Sequence, residues 1–264
     1  MKIGWIGLGQ MGRAMAARCV ADGHTVTAHV RTLDGREAAR GAGIALTQNM
    51  REAVENQDVI GVALFDDQQL LEIGRTGVFQ YIKADAVAAV HVTGSPRALD
   101  EFAQMTSKPN SVLDATFSGT SATLDSGGRI TLMVGGSAET LARAQPVLSA
   151  YCDPIAHLGA LGAGRKLKLI NNVLFAGQVA LSAEALELAA SMGLDQKAAA
   201  DVLGKSSGAS FALSVVAGGE SPSAILTRLS RYLDKDVAAA RAAAQDVGLD
   251  FNLLAATTAR WGVD

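Results

Sequence analysis

Short apolar runs and longer helical segments alternate through the first part of this chain, and helical patterning alone fills the rest. Lys2–Ile6, Thr25–Val30, Asp58–Phe65, Ala86–Val92, Val112–Thr120 and Ile130–Gly136 each read as a strand. They are rich in Val, Ile and Ala and are separated by helix-length stretches. That rhythm predicts a parallel, doubly wound sheet covered by helices. From Arg165 to Met192 there is no proline and only one glycine, Gly177. This predicts a single helix over 165–192, roughly 40 Å long at 1.5 Å per residue. Apolar residues lie on most sides of it, so it is expected to be buried as a spine shared by two domains. Ala198–Leu203, Ser221–Leu229 and Leu233–Asp246 follow as further helices. The fold expected is α/β: a doubly wound sheet domain over 1–161, and an all-helical domain over 162–264 joined to it by the long helix.

The 264 residues are 49% hydrophobic and 19% charged, enough apolar material for a sizeable core. The net charge of −3 and the lack of any long basic run give no reason to expect a nucleic-acid partner. Cys19 and Cys152 have no metal-ligand spacing and are expected as free thiols, with no metal bound. No charged leader precedes the first apolar run, and no uninterrupted apolar stretch reads as a membrane anchor. A cytoplasmic location is therefore expected.

The first candidate chemistry follows the first strand directly. Gly7-Leu8-Gly9-Gln10-Met11-Gly12 opens a helix, which is the dinucleotide fingerprint in its required strand–turn–helix context. Gly7 permits the tight turn, Gly9 lets backbone approach a pyrophosphate, and Gly12 lets helix and strand pack closely. In a Rossmann sheet of this kind the second strand usually ends in an acidic residue that binds the ribose hydroxyl. Here Arg31-Thr32 stand instead, with Arg36 nearby, a set suited to a 2′-phosphate. NADP(H) is therefore expected over NAD(H). The Leu64–Asp66 segment, with Leu64 and Phe65, and the Thr93–Pro96 segment are further candidate cofactor loops, because ligands bind such sheets at the carboxyl ends of strands. Ser118 and Gly119 could offer a hydroxyl and backbone N–H groups to a carboxylate. At the start of the long helix Arg165, Lys166 and Lys168 crowd an end that is already positive, an arrangement that suits a nearby anion. Lys168 and Asn172 are four apart and share a face.

Together these residues resemble the β-hydroxyacid dehydrogenase family. Gly7–Gly12 resembles its N-terminal signature, Thr93 with Ser95-Pro96 its nicotinamide loop, and Asp114–Thr120 its substrate loop. Gly162-x-Gly164-x-x-x-Lys168-x-x-Asn171-Asn172 is similar to its catalytic segment, and Lys235-Asp236 to a late cofactor motif. The resemblance implies hydride transfer between a nicotinamide and a small β-hydroxy acid or semialdehyde. Lys168 would be the general acid and base, Asn172 the substrate-orienting amide, and Lys235 a cofactor contact. Ser118, Gly119 and Thr120 would bind a small carboxylate substrate. Thr116 and Thr120 depart from the family's proline and glycine in the loop that reads the substrate. An imine reductase of the same plan is an alternative, against which Lys168 argues, as is a non-catalytic NADP-binding sensor. The long apolar helices lead us to expect a homodimer or homotetramer.

Overall fold

A computed structural model describes residues 1–31, 39, 41–219, 221–249 and 252–261. The chain divides into two compact units, Met1–Lys168 and Leu169–Asp264.

The first unit holds one eight-stranded sheet. Its strands are β1 (Lys2–Ile6), β2 (Thr25–His29), β3 (Ala45–Thr47), β4 (Val59–Val62), β5 (Val87–Val90), β6 (Val112–Ser118), β7 (Ile130–Gly135) and β8 (Cys152–His157), in the order β3-β2-β1-β4-β5-β6-β7-β8. Every neighbouring pair is parallel except β6 with β7. The chain runs outward from β1 to β3 and then crosses back to β4 on β1's other side, which makes the β1/β4 boundary the switch point where such sheets bind ligands.

Central strands are apolar at consecutive positions because helices cover both faces. Ile3 and Trp5 join one buried cluster, and Ile6, Ile60 and Val62 the other. The covering helices are α1 (Gln10–Ala21), α2 (Asp67–Arg75), α3 (Pro96–Gln104), α4 (Ser121–Asp125) and α5 (Ala138–Leu148). Two edge strands escape a reading of apolar runs. β3 is three residues long, and β8 contains Pro154, which an edge strand tolerates but a patterning rule counts against. Cys19 and Cys152 are free and buried in this core, and burial pushes the Cys19 thiol up to about 12.

The second unit is helical. The long helix α6 (Ala163–Ser191) starts in the first unit and continues into this one, followed by α7 (Gln196–Leu203), α8 (Phe211–Ala217), α9 (Pro222–Gln245) and α10 (Leu253–Thr257). Leu169, Val173, Ala176, Val179, Ala183 and Leu186 of α6 pack with Leu226, Leu233, Val237 and Ala240 of α9. Trp261 closes this core and donates its indole N–H to the Ala176 carbonyl at 3.2 Å.

Two expectations for the helices need correction. The segments read as separate helices over 221–229 and 233–246 form the single helix α9, because nothing between them breaks the backbone and Leu226, Leu233, Val237 and Ala240 share one buried face. The long helix is also not buried all round. Ile170, Leu174, Leu181 and Leu188 are each more than half exposed, since the apolar residues form two stripes and this unit's core covers one. By length and composition alone α6 also passes as a membrane span, with 44% of its most apolar window buried.

Candidate functional site

β1, β2, β4, β5 and β6 run parallel, so the loops leaving their carboxyl ends emerge on one edge of the sheet. Those loops contain most of the residues that the sequence singles out in this unit.

The glycines after β1 divide by what they touch. Gly7 has φ +95°, and a Cβ there would lie 2.1 Å from the Ala63 carbonyl oxygen. A Cβ at Gly12 would lie 2.0 Å from the Gly7 carbonyl oxygen, so helix and turn need a glycine at that crossing. Gly9 is different: a Cβ there would meet nothing within 4 Å. The protein's own packing does not require that glycine, whereas a phosphate lying against the backbone would. Gly9 is also the N-cap of α1, which has no side-chain cap and no acidic residue in its first turn. By contrast α2, α3, α4 and α5 are capped by Asp66, Ser95, Thr120 and Ser137. An uncapped helix start with open space before it suits an anionic group. Leu8, Gln10 and Met11 complete this turn, Gln10 exposed and the other two half-buried.

Arg31 stands two residues past the end of β2 and is exposed. Thr32 and Arg36, the remaining residues of the 2′-phosphate reading, lie outside the described residues. Leu64 and Phe65 follow β4. Phe65 is exposed, and its N–H donates to Gln69 Oε1 at 3.2 Å.

Thr93 is half-buried in the loop after β5. Gly94 lies against Asp67, whose Oδ1 would be 2.2 Å from a Cβ there, and the Ser95 N–H donates to Asp67 Oδ2 at 2.7 Å. After β6, Gly119 has φ +148°, and a Cβ would collide with Ile130 Cγ2 at 2.3 Å. Ser118 is half-buried beside it. The Thr120 hydroxyl accepts from the Thr123 N–H at 3.2 Å, so this side chain is occupied as the cap of α4 and offers a ligand chiefly its backbone.

The start of α6 packs on the same loops. Gly162 has φ +87°, and a Cβ there would lie 3.4 Å from Pro96 Cβ; one at Gly164 would lie 2.4 Å from the Met133 carbonyl oxygen and 3.0 Å from Asp114 Oδ2. Arg165 is fully buried, and its guanidinium pairs with Asp67 at 2.8 Å. Sequence patterning groups Arg165 with Lys166 and Lys168 as cations awaiting an anion. For Arg165 the anions are the protein's own Asp67 and Asp114, which come from 98 and 51 residues away and leave no local signal. Burial pushes the Asp114 carboxyl up to about 6, against the opposing pull of hydrogen bonding and charge from Arg165. Lys168 lies one turn further along, half-buried, at the end of this unit.

In the helical unit a second cluster forms around Asn172. Its Nδ2 donates to Asp236 Oδ2 at 2.5 Å, and its Oδ1 accepts from Asn171 Nδ2 at 3.0 Å. Lys235 Nζ donates to Asp236 Oδ1 at 2.8 Å. Asp236 is buried on the inner face of α9, in the middle of that helix rather than at its start. One carboxylate therefore fixes both the Asn172 amide and the Lys235 ammonium. The sequence marks Asp236 only as half of the Lys235-Asp236 motif; its contact with Asn172, 64 residues away, leaves no local signal. Among the described residues no cluster of three His, Cys, Asp or Glu side chains is arranged to hold a metal ion.

Residues 2–159 match the model of the NAD binding domain of 6-phosphogluconate dehydrogenase, and residues 162–263 match that of the NAD-binding domain of NADP-dependent 3-hydroxyisobutyrate dehydrogenase. A 2-(hydroxymethyl)glutarate dehydrogenase from Eubacterium barkeri is 33% identical over 217 residues, covering 81% of this chain and 71% of that one. The structure of Mycobacterium tuberculosis 3-hydroxyisobutyrate dehydrogenase with L-serine is 28% identical with a TM-score of 0.84, covering 98% and 91% of the two chains. An imine reductase from Streptomyces aurantiacus, 18% identical with a TM-score of 0.68 over 100% of this chain and 89% of its own, shares the fold.

Proposed function

The chain belongs to the β-hydroxyacid dehydrogenase family of NAD(P)-dependent oxidoreductases, and from that premise we propose that it interconverts a small β-hydroxy acid and its semialdehyde with NADP(H). The observation that carries this reading is the packing of the Gly162–Gly164 turn on Pro96 and Asp114. It brings the helix that bears Lys168 to the sheet edge where the glycine turn and the loops after β4, β5 and β6 emerge.

In this reading residues 1–161 bind the cofactor. Backbone N–H groups of Gly9, Gln10 and Met11 hold the pyrophosphate, flanked by Gly7, Leu8 and Gly12. Leu64, Phe65 and Thr93 would be further cofactor contacts of this domain, and in the helical domain, residues 162–264, Lys235 belongs to the late cofactor motif and would be a cofactor contact. Arg31 with Thr32 selects the 2′-phosphate; the exposed guanidinium after β2 supports this. The bound nicotinamide supplies or receives the hydride. Ser118, through its hydroxyl, and Gly119 and Thr120, through their N–H groups, bind the substrate carboxylate. Lys168 Nζ donates a proton to the carbonyl oxygen during reduction and takes it back from the hydroxyl during oxidation. As an ammonium it also stabilises developing negative charge on that oxygen. Asn172, with its amide held by Asp236 and Asn171, presents its remaining N–H to the substrate. The apolar stripe Ile170, Leu174, Leu181 and Leu188 supports assembly as a homodimer or homotetramer. A soluble, cytoplasmic enzyme fits these features.

The test is NADPH oxidation against a panel of small semialdehydes and keto acids. Lys168→Ala should cut kcat by about 10²- to 10⁴-fold while NADPH affinity stays near wild type. Turnover of cyclic imines in place of carbonyl compounds would transfer the chain to the imine reductases. Tight NADPH binding without any turnover would make it a cofactor sensor.

A further inference from the structure

Arg165 carries its charge into the interior of the sheet unit with no exposed surface. One nitrogen, Nη1, donates both to Asp67 Oδ1 at 2.8 Å and to the Ser95 carbonyl oxygen at 2.7 Å. The backbone N–H of the same residue donates to Asp114 Oδ2 at 2.6 Å. Asp67 uses its other oxygen to accept the Ser95 N–H at 2.7 Å. Ser95 is therefore gripped through both backbone polar groups, its N–H by Asp67 and its C=O by Arg165, and Gly94 lies flat on the same carboxylate. The loop after β5 and the start of α2 meet at the Arg165 guanidinium, and strand β6 meets its backbone N–H in the first turn of α6.

This arrangement is a poor device for stability alone. A buried ion pair recovers little more than the cost of desolvating it. Among the described residues, Nε and Nη2 of Arg165 and Oδ1 of Asp114 have no hydrogen-bond partner. Nor does the guanidinium act on Lys168 as an uncompensated charge, because the Asp67 carboxylate pairs with it and the nearby Asp114 adds an opposing charge. What the network does fix is geometry. Lys168 is three residues along a continuous helix from Arg165, so holding Arg165 holds the turn from which Lys168 projects.

We propose that Arg165 is a positioning residue for hydride transfer, setting the spacing between the Thr93–Pro96 loop and the helical turn that carries Lys168. The proposal rests on the reaction assigned above. A misplacement of about 1 Å at a reacting centre costs about 10²-fold in rate, which sets the size of the effect.

The test uses the full-length wild type, Arg165→Met, Arg165→Lys and Lys168→Ala, with NADPH saturating. Arg165→Met should lower kcat about 10²-fold with substrate KM changed by less than about threefold, and the pH at which the rate titrates should not move. Arg165→Lys, which restores a cation able to reach Asp67 and Ser95, should recover about tenfold of that loss. Hydrogen exchange of the cofactor-free Met variant should speed up in residues 93–96 and 163–168 while β1, β4 and β5 stay protected. A Met variant as fast as wild type overturns the proposal, as does unchanged exchange in those two segments. So does loss of protection throughout the sheet with no recovery in the Lys variant, which would make Arg165 merely structural. A wild type that reduces no carbonyl compound, or a Lys168→Ala variant of undiminished rate, sinks the reaction and with it the catalytic role of Arg165. A slow Lys168→Ala beside a fast Arg165→Met sinks only the positioning role.

Discussion

A glycine can be required by the protein or by what the protein binds, and the turn after β1 holds both kinds. Gly12 has a carbonyl oxygen where its Cβ would be, while Gly9 has open space and an extended backbone with φ −65° that any residue can adopt. Gly12→Ala should therefore cost several kcal/mol of stability through backbone displacement at a tight helix–strand crossing. Gly9→Ala should leave the melting temperature within a few degrees of wild type yet weaken NADPH binding at least about tenfold, a loss of about 1.4 kcal/mol or more. Thermal unfolding and a fluorescence titration of each variant check this. A Gly9→Ala protein that binds NADPH normally would remove the phosphate cradle from the proposed site. The same logic extends to Asp236. If it orients the Asn172 amide, Asp236→Asn should reduce kcat more than cofactor affinity, and a variant that loses only NADPH affinity would assign the carboxylate to Lys235 alone.

Elements were legible from the sequence to the extent that local patterning encodes them. β1, β2, β4, β5, β6 and β7 are apolar because their own helices cover them, and the fingerprint after β1 could be read from spacing alone. β3 and β8 were hidden by shortness and by Pro154. The Arg165 network was hidden because its partners are remote in sequence, and no local pattern encodes a contact across 98 residues. The long helix shows the same limit in another form. Its two apolar stripes look alike in the sequence, but one packs on α9 and the other, Ile170–Leu174–Leu181–Leu188, remains exposed. In the proposed homo-oligomer this stripe is the surface that another copy would cover. Replacing Leu174, Leu181 and Leu188 together by Glu should convert the assembly to a folded monomer in sedimentation velocity. A wild-type chain that sediments as a monomer would remove the oligomer from the proposed function.

For the molecule as a whole, two buried groups in the sheet unit pull stability in opposite directions with pH. The His91 ring stacks on Trp5 and meets Tyr151 edge-on, with Nδ1 on the Ala115 carbonyl at 2.6 Å and Nε2 on the Tyr151 hydroxyl at 3.1 Å. Burial drops its pKa to about 4. An unfolded chain protonates this ring near pH 6.5 while the native state does not, so native stability falls as pH drops from about 6.5 to about 4, by roughly 3 kcal/mol in all. Asp114 has the opposite sign. Its native pKa of about 6 lies above the unfolded value of 3.8, so the native state binds the proton first and gains stability as pH falls through the same window. That gain is also roughly 3 kcal/mol, so the two contributions nearly cancel between pH 6 and 4. Asp114→Asn removes the compensating half. Every other acid-sensitive group, His91 included, is common to both proteins, so the difference between them isolates Asp114. The variant should lose about 2 to 3 kcal/mol more than wild type between pH 6.5 and 4, measured by native-state hydrogen exchange of β1 and β5 amides. Parallel pH profiles in the two proteins would mean that Asp114 titrates as an ordinary carboxylate. Its burial beside Arg165 would then have to be reconsidered.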